Sequence, residues 1–370
     1  MGLLDLTNAW TPVGQRQRQQ SLAEGNKMPE LVNRQWLLAK RPVGRPQNGD
    51  FEYREVHIPI PGEGEVLLRI IYALIDPAQR GWMDAVGNYF DPSPLGEPMR
   101  SGIIAKVVKS NSDLHPVGQY VSGLGGWEDY TVVPEGSVDI IPYDGSQELG
   151  AFSHLLGTKG ATAYFGLLEI CGLKEGDQVL VSSAAGAVGS LVGQFARIKG
   201  CRVVGIARGP EKCSWITEEL GFDAAIDYGA NGDLSAAIAE KFPNGLDVYF
   251  DNVGGEMLEA AIDNLALHAR IAICGMISEY NQSDAPGPGN MWNLLVKRAR
   301  IEGFLVSDFR PRYQEARAAI DSWIKEGRLK YKLDEREGFD ILPKTLNCLF
   351  DGDHDGRLLV KLVKEVDTVI

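Results

Sequence analysis

The sequence has no apolar run approaching the roughly 18 residues that a membrane span needs, so no segment of it reads as a transmembrane helix. Cysteine is scarce. The five residues Cys171, Cys201, Cys213, Cys274 and Cys348 are odd in number, and no two stand close enough to form a Cys-x-x-Cys pair. A disulfide framework is therefore not expected, and reduced thiols in a cytoplasmic protein are. Histidine is equally sparse: His57, His115, His154, His268 and His354 lie far apart, and none has a Cys or His at ligand spacing. A zinc site with three protein ligands is not expected, and no metal is assigned. Positive charge is also short, 37 Lys and Arg against 50 Asp and Glu, for a net charge of −13. That balance argues against a nucleic-acid partner or an anionic membrane surface, and it requires any anionic cofactor to find a local basic patch.

What remains is an ordinary globular composition, 44% hydrophobic and 24% charged, in a chain of 370 residues, long enough for two domains. At the N-terminus a short apolar stretch precedes the charged run Gly14 to Gln20, the reverse of the order in a signal peptide. Residues 1–27 are expected to be a poorly ordered extension, with Met28 a possible internal start. From Trp36 to about Ile141, short β-type runs such as Glu65–Tyr72 and Ile103–Val108 are separated by Gly and Pro, the spacing of a small all-β barrel-like unit. From about Leu155 strands alternate with helices. Strands are expected at Gln178–Ser183, Arg202–Ala207, Ala224–Asp227, Leu246–Asn252, Arg270–Cys274 and Ile301–Val306. Helices are expected at Val188–Lys199, Glu211–Leu220, Gly255–Leu265 and 311–327. This alternation predicts an α/β Rossmann unit, a doubly wound parallel sheet. The tail strand Gly356–Val363 has no place in that sheet and is assigned to the first unit. The division expected is 28–153 with 335–370 for the β unit and 154–334 for the α/β unit. The loop Asp284–Asn290 is expected to be a mobile connection near the site.

The strand Gln178–Ser183 runs into Ala184-Ala185-Gly186-Ala187-Val188-Gly189, a dinucleotide-binding turn with Ala in the first glycine position. Gly186 lets the backbone approach a pyrophosphate, Gly189 allows close helix–strand packing, and the helix N-terminus offers free N–H groups. The context of strand, turn and helix supports this reading over a merely structural turn. The second strand ends at Ile206-Ala207-Arg208, with no acid until Glu211, where an NAD enzyme would hold the ribose hydroxyl. Arg208 and Lys212 stand there instead and suit a 2′-phosphate, so NADPH is the expected cofactor. Without a Lewis acid, reduction of an activated alkene fits better than alcohol oxidation. An alcohol must lose its hydroxyl proton, whereas an enone needs only donors for an enolate oxygen. Two tyrosines are the candidate catalytic donors. Tyr280 follows the strand Arg270–Cys274 at the carboxyl edge of the sheet, and Tyr89 lies in the loop Gly87-Asn88-Tyr89-Phe90.

Four segments in order, Ala161–Leu173, Ala184–Ser190, Asp251–Gly255 and Ile273–Asn281, resemble the prostaglandin reductase, alkenal double-bond reductase and curcumin reductase branch of the zinc-independent medium-chain dehydrogenase/reductases. The resemblance covers nearly everything after Met28. It implies a GroES-like catalytic domain beside the Rossmann domain, NADPH and no zinc, and commonly a homodimer. Carried over residue by residue, Gly186, Ala187, Val188 and Gly189 lie on the pyrophosphate. Lys212 and Tyr228 match the 2′-phosphate and adenosine-ribose contacts. Asn252 and the segment from Cys274 and Gly275 through Ser278 to Tyr280 match the nicotinamide half, and Phe304, Leu305 and Val306 match the stretch that closes on the nicotinamide. Three positions depart from the pattern. Ala78 stands in place of the tyrosine of Asp-Pro-Tyr-Met-Arg, Lys159 in place of a proline, and His354 in place of a cofactor-contacting asparagine. Lys159 reads first as a surface lysine, with a charge at the cleft as the alternative. The reaction implied is NADPH-dependent reduction of the C=C bond of an α,β-unsaturated ketone or aldehyde. An NADPH quinone oxidoreductase and a non-catalytic NADPH-binding protein are the alternatives.

Overall fold

The protein is described by a computed structural model over residues 32–86, 88–230 and 232–363; the expected extension 1–27 lies outside these residues. Six strands form a wholly parallel sheet in the spatial order Ala224–Asp227, Arg202–Ala207, Gln178–Val181, Leu246–Asp251, Leu265–Ile273, Arg300–Gly303. The chain builds outward from Gln178–Val181 in one direction and then, from Leu246–Asp251, in the other. Those two strands lie side by side, Val179 opposite Val248 and Val181 opposite Phe250. The carboxyl ends at such a reversal leave a crevice that secondary structure cannot fill.

The strands read as near-continuous apolar runs because both faces are covered. Val179, Leu180, Val181, Val203, Val204 and Ile206 are all buried. The helix Gly189–Ile198 turns Leu191, Val192, Phe195 and Ala196 into that core. It approaches the Phe222 ring so closely that a Cβ on Gly193 would lie 1.8 Å from the ring.

The second sheet has seven strands. Leu333–Glu337, Arg357–Lys361, Glu65–Leu74, Arg100–Ser110, Tyr120–Gly126 and Val138–Ile140 follow one another, and Tyr130–Pro134 pairs with Glu65–Leu74. The tail strand returns as expected: Arg357–Lys361 lies antiparallel to Glu65–Leu74, with Leu359 opposite Leu74. One buried apolar cluster joins the two units, bringing Ile71, Tyr72 and Leu359 together with Val179, Leu191 and Phe195. The walls of the cleft between them are thus fixed by shared core.

Several helices escaped the sequence reading, Thr158–Phe165 and Trp292–Lys297 among them. Leu234–Lys241 is capped by Asp233, whose carboxylate accepts from the Ala236 N–H. Leu342–Asp351 lies in what was read as a purely β unit and stops at Gly352 in the left-handed conformation, φ 68°. Boundaries are corrected too: the strand expected over Arg270–Cys274 already begins at Leu265, and the helix before it ends at Asp263. The strand expected over Ile301–Val306 ends at Gly303, and Val306–Arg312 turns into a 3-10 helix. Phe304 leaves the strand because its ring is drawn inward against Phe250, edge to face at 6.2 Å, over Gly166. A Cβ on Gly166 would sit 2.5 Å from the Phe304 ring.

Candidate functional site

A cavity of about 1090 Å³ follows the carboxyl edge of the parallel sheet and is walled on its other side by the β unit. Its floor is the glycine turn. Ser183 ends the first strand with a left-handed backbone, φ 49°, a conformation that costs a non-glycine residue energy and turns the chain sharply. A Cβ on Gly189 would meet the Ser183 carbonyl oxygen at 2.3 Å, and one on Gly186 the Ser183 Oγ at 2.8 Å. Gly189 is therefore sterically required by the turn backbone, whereas at Gly186 the Ser183 hydroxyl would have to turn away. Gly186 also makes a parallel bridge to Gly356 of the other unit.

Beneath the turn lies His154, fully buried. Its Nε2 is 2.7 Å from the carbonyl oxygen of Ala187, which can only accept, so Nε2 carries the proton. Nδ1 is buried without a partner. Burial drives the imidazole pKa down to about 3, against the pull of the Ala187 hydrogen bond. The sequence reading had weighed His154 only as a metal ligand. Its actual place is set by tertiary packing that no local motif announces.

At the adenosine end, Arg208, Lys212 and Tyr228 all line the cavity. Lys212 Nζ donates to the carbonyls of Gly352 at 2.7 Å and His354 at 2.6 Å, and Arg208 donates to the Asp351 carbonyl at 2.9 Å. Both cations so cap the end of the helix Leu342–Asp351, where carbonyl groups lack helical partners. Burial lowers the Lys212 pKa. Arg45 is a third cation on this wall, paired with Asp351 at 2.9 Å and not anticipated from sequence. His354 lines the cavity, but its ring turns back toward the Cys348 carbonyl, with Nδ1 3.4 Å away, and its backbone carbonyl is the group that meets Lys212.

At the other end the switch point is organised by Asp251, buried completely. Its carboxylate accepts from Ser182 Oγ at 3.0 Å, Tyr249 OH at 2.8 Å and the backbone N–H groups of Val253 and Gly254, while burial raises its pKa. Asn252 donates to the Ser182 carbonyl at 2.7 Å. Cys274, Gly275 and Ser278 line the cavity beyond it. Tyr280 is there too. Its phenol oxygen accepts from the Met276 N–H at 3.2 Å, and burial pushes its pKa up to about 12, so at neutral pH it keeps a proton to donate. Tyr89 is not on the cavity wall. It is 50% exposed, beside the Phe90 ring at 5.5 Å. Phe304, Leu305 and Val306 also lie off the wall, Phe304 in the core and Leu305 partly exposed. Ala285–Gly289, within the loop expected near the site, lie on the wall.

Reading Lys159 as a surface residue is corrected. Its ammonium is 2.7 Å from Asp76, and its side chain is only 21% exposed. Asp76 also holds the buried Arg357 through two bonds of 2.7 and 3.1 Å. Burial opposes the charge on Asp76, but Arg357 and Lys159 outweigh it and hold the carboxyl well below its usual range.

Among the described residues no group of three or more His, Cys, Asp or Glu could hold a metal ion, and no helix is long and apolar enough to cross a membrane. Residues 34–141 match a family described as the N-terminal domain of oxidoreductase, and residues 187–322 one described as zinc-binding dehydrogenase. The chain is 38% identical over 341 residues to the NADPH-dependent curcumin reductase of Escherichia coli (strain K12), covering 89% of this chain and 97% of that protein. It is 38% identical over 340 residues to the NADP(+)-dependent 2-alkenal reductase of Nicotiana tabacum, covering 91% and 99%. Among solved structures, CurA from Vibrio vulnificus in complex with NADPH superposes with a TM-score of 0.85 at 38% identity, covering 90% of this chain and 100% of that one.

Proposed function

This chain belongs to the medium-chain dehydrogenase/reductase family, and on that premise we propose that it uses NADPH to reduce the carbon–carbon double bond of α,β-unsaturated ketones or aldehydes. The observation that carries the reading is a single cavity with a glycine turn and paired cations at one end and a buried, protonated phenol at the other. The residues fit the cofactor. The turn has no room for a side chain at Gly189, and Arg208 and Lys212, both on the cavity wall, would take the 2′-phosphate. The volume slightly exceeds the upper end of drug-sized pockets, about 1,000 Å³, which suits a dinucleotide with a small substrate.

When bound, NADPH supplies the hydride that the β-carbon accepts. The protein's part is to orient and to stabilise. The turn holds the phosphates on backbone N–H groups. Asn252 and Cys274–Ser278 border the nicotinamide half. Tyr280 donates its O–H to the oxygen that gains charge, and Tyr89, although off the cavity wall, is the second donor assigned to the β unit. His354 offers its carbonyl side to the adenosine end, and Phe304–Val306 backs the nicotinamide wall.

The reaction runs without metal, and the chain works as a soluble cytoplasmic enzyme. Its two units are 28–153 with 335–370 and 154–334. A homodimer fits an exposed apolar strip on the helix Trp292–Lys297, where Trp292 is 71% exposed and Leu295 and Val296 lie open beside the edge strand Arg300–Gly303. A substrate panel of enones, enals, quinones and simple ketones, with NADPH consumption followed at fixed protein and products identified, tests the assignment. Saturated ketones or aldehydes are expected from the enones and enals. Turnover of quinones alone, or of nothing, would overturn it.

A further inference from the structure

We propose that Lys159 is a catalytic residue of this site, the cation that receives the substrate's carbonyl oxygen as it becomes an enolate; the proposal rests on the enone-reductase reading. The Lys159 ammonium stands just behind the cavity wall, one ion pair away from it. Its partner Asp76 stands between Ile75 and Pro77, both on the wall. Asp76 is shared with Arg357, also on the wall. The Lys159 charge also reaches Cys274, a wall residue of the α/β unit whose thiol burial pushes up to about 12 against the pull of that ammonium.

Charge counting separates this role from a structural one. Arg357, only 2% exposed in its side chain, already engages both oxygens of Asp76 with well-formed hydrogen bonds. The carboxylate is thus neutralised without Lys159. The lysine makes the cluster two cations to one anion in a partly buried place, an arrangement that is costly unless an anionic partner completes it. An ammonium has three N–H donors, and the bond to Asp76 uses one, which aims the group and leaves donors for a second acceptor. Two residues beyond Asp76 the chain has Ala78, which carries no donor, so on this side of the cleft the position is left to Lys159.

The step balances simply. The hydride pair that NADPH would supply, becoming NADP+, forms the new C–H bond at the β-carbon, the π electrons move to the carbonyl oxygen, where Lys159 would hold the negative charge, and a solvent proton adds to the α-carbon, so that one hydride and one proton are taken up in all. Lys159 remains protonated throughout.

A stable oxyanion probe tests this without turnover. 4-Nitrophenol is bound to the complex of the full-length protein with NADP+, and its ionised fraction is read from visible absorbance across a pH series. In wild type the bound probe should favour the phenolate by about ten- to a hundredfold relative to free probe, the range of a charge-assisted contact. Lys159→Met, which keeps the length of the stem, should abolish that preference, and Lys159→Arg should keep most of it. In steady state Lys159→Met should lower kcat on an accepted enone by a similar factor with NADPH affinity unchanged. A wild-type complex with no preference for the phenolate, or a Lys159→Met complex with the wild-type preference, overturns the role. Failure of every enone in the panel would fall instead on the assignment of the reaction, because probe binding needs none.

Discussion

Lys212 donates from Nζ to the carbonyl oxygen of His354 at 2.6 Å, joining the helix that follows the second parallel strand to the loop that closes the β unit. One cation thereby ties the two sides of the cleft at its adenosine end. Burial lowers its pKa, and the nearby carboxylates Asp355 and Asp353 oppose that fall. An incoming phosphate would give the ammonium a fully charged partner.

From this geometry Lys212→Ala should weaken NADPH binding about tenfold or more, since a hydrogen bond to a charged group contributes about 1.5–3 kcal/mol. NADH, lacking the phosphate, should lose little. Dissociation constants from fluorescence titration of both cofactors on both proteins check this. Equal affinity of the wild type for NADPH and NADH would refute the assignment of Arg208 and Lys212.

Tyr280→Phe should lower kcat by about ten- to a hundredfold or more on an accepted enone, because removing one oxyanion donor can cost about 2.7–4 kcal/mol. NADPH affinity should stay near the wild-type value. Among the described residues the phenol's hydrogen-bond partner is the Met276 N–H, so the variant gives up one acceptor and should fold normally. Unchanged turnover on every accepted enone would remove Tyr280 from the chemistry.

His154 predicts an acid limb in stability. The unfolded imidazole takes its proton near 6.5, whereas the folded one resists until about 3. Between those values the unfolded chain binds more protons, so stability is fully present above about pH 6.5 and is lost as pH falls toward 3. The loss from this group is on the order of a few kcal/mol. His154→Gln can still donate to the Ala187 carbonyl but does not titrate. Thermal unfolding at pH 7 and pH 5 should show a smaller drop for His154→Gln than for wild type, and equal drops would refute the linkage.

Chelation should leave activity intact. Among the described residues no group of three or more His, Cys, Asp or Glu could hold a metal ion, and the ion-paired cluster next to the cleft is Lys159, Asp76 and Arg357. Elemental analysis of active protein should find substoichiometric metal. Activity lost to a chelator and restored by zinc would contradict this.

Much of the α/β unit was legible. The strands Arg202–Ala207 and Ala224–Asp227 have the bounds expected of them; the first is buried almost throughout, as an apolar run inside a parallel sheet must be. The turn Ala184–Gly189 was legible for a steric reason: only glycine fits where the Ser183 carbonyl passes 2.3 Å from a would-be Cβ. Phe304 was less so. An aromatic after a strand continues the β pattern on paper, and only the space above Gly166 draws it into the core.

By itself, then, the sequence determined the order of strands and helices, the phosphate turn and the absence of an acid after the second strand. Each of these is a local property of backbone sterics or of neighbouring residue types. The tertiary structure alone decided which charges face the cleft. Asp76 and Arg357 meet across 281 positions of chain, and Lys159 joins them from a third segment. Periodicity reports which side of an element is buried, but an ion pair depends on where two distant elements come to rest. For that reason a lysine that reads as solvent-facing in one dimension lies, in three, paired with Asp76 behind the cavity wall.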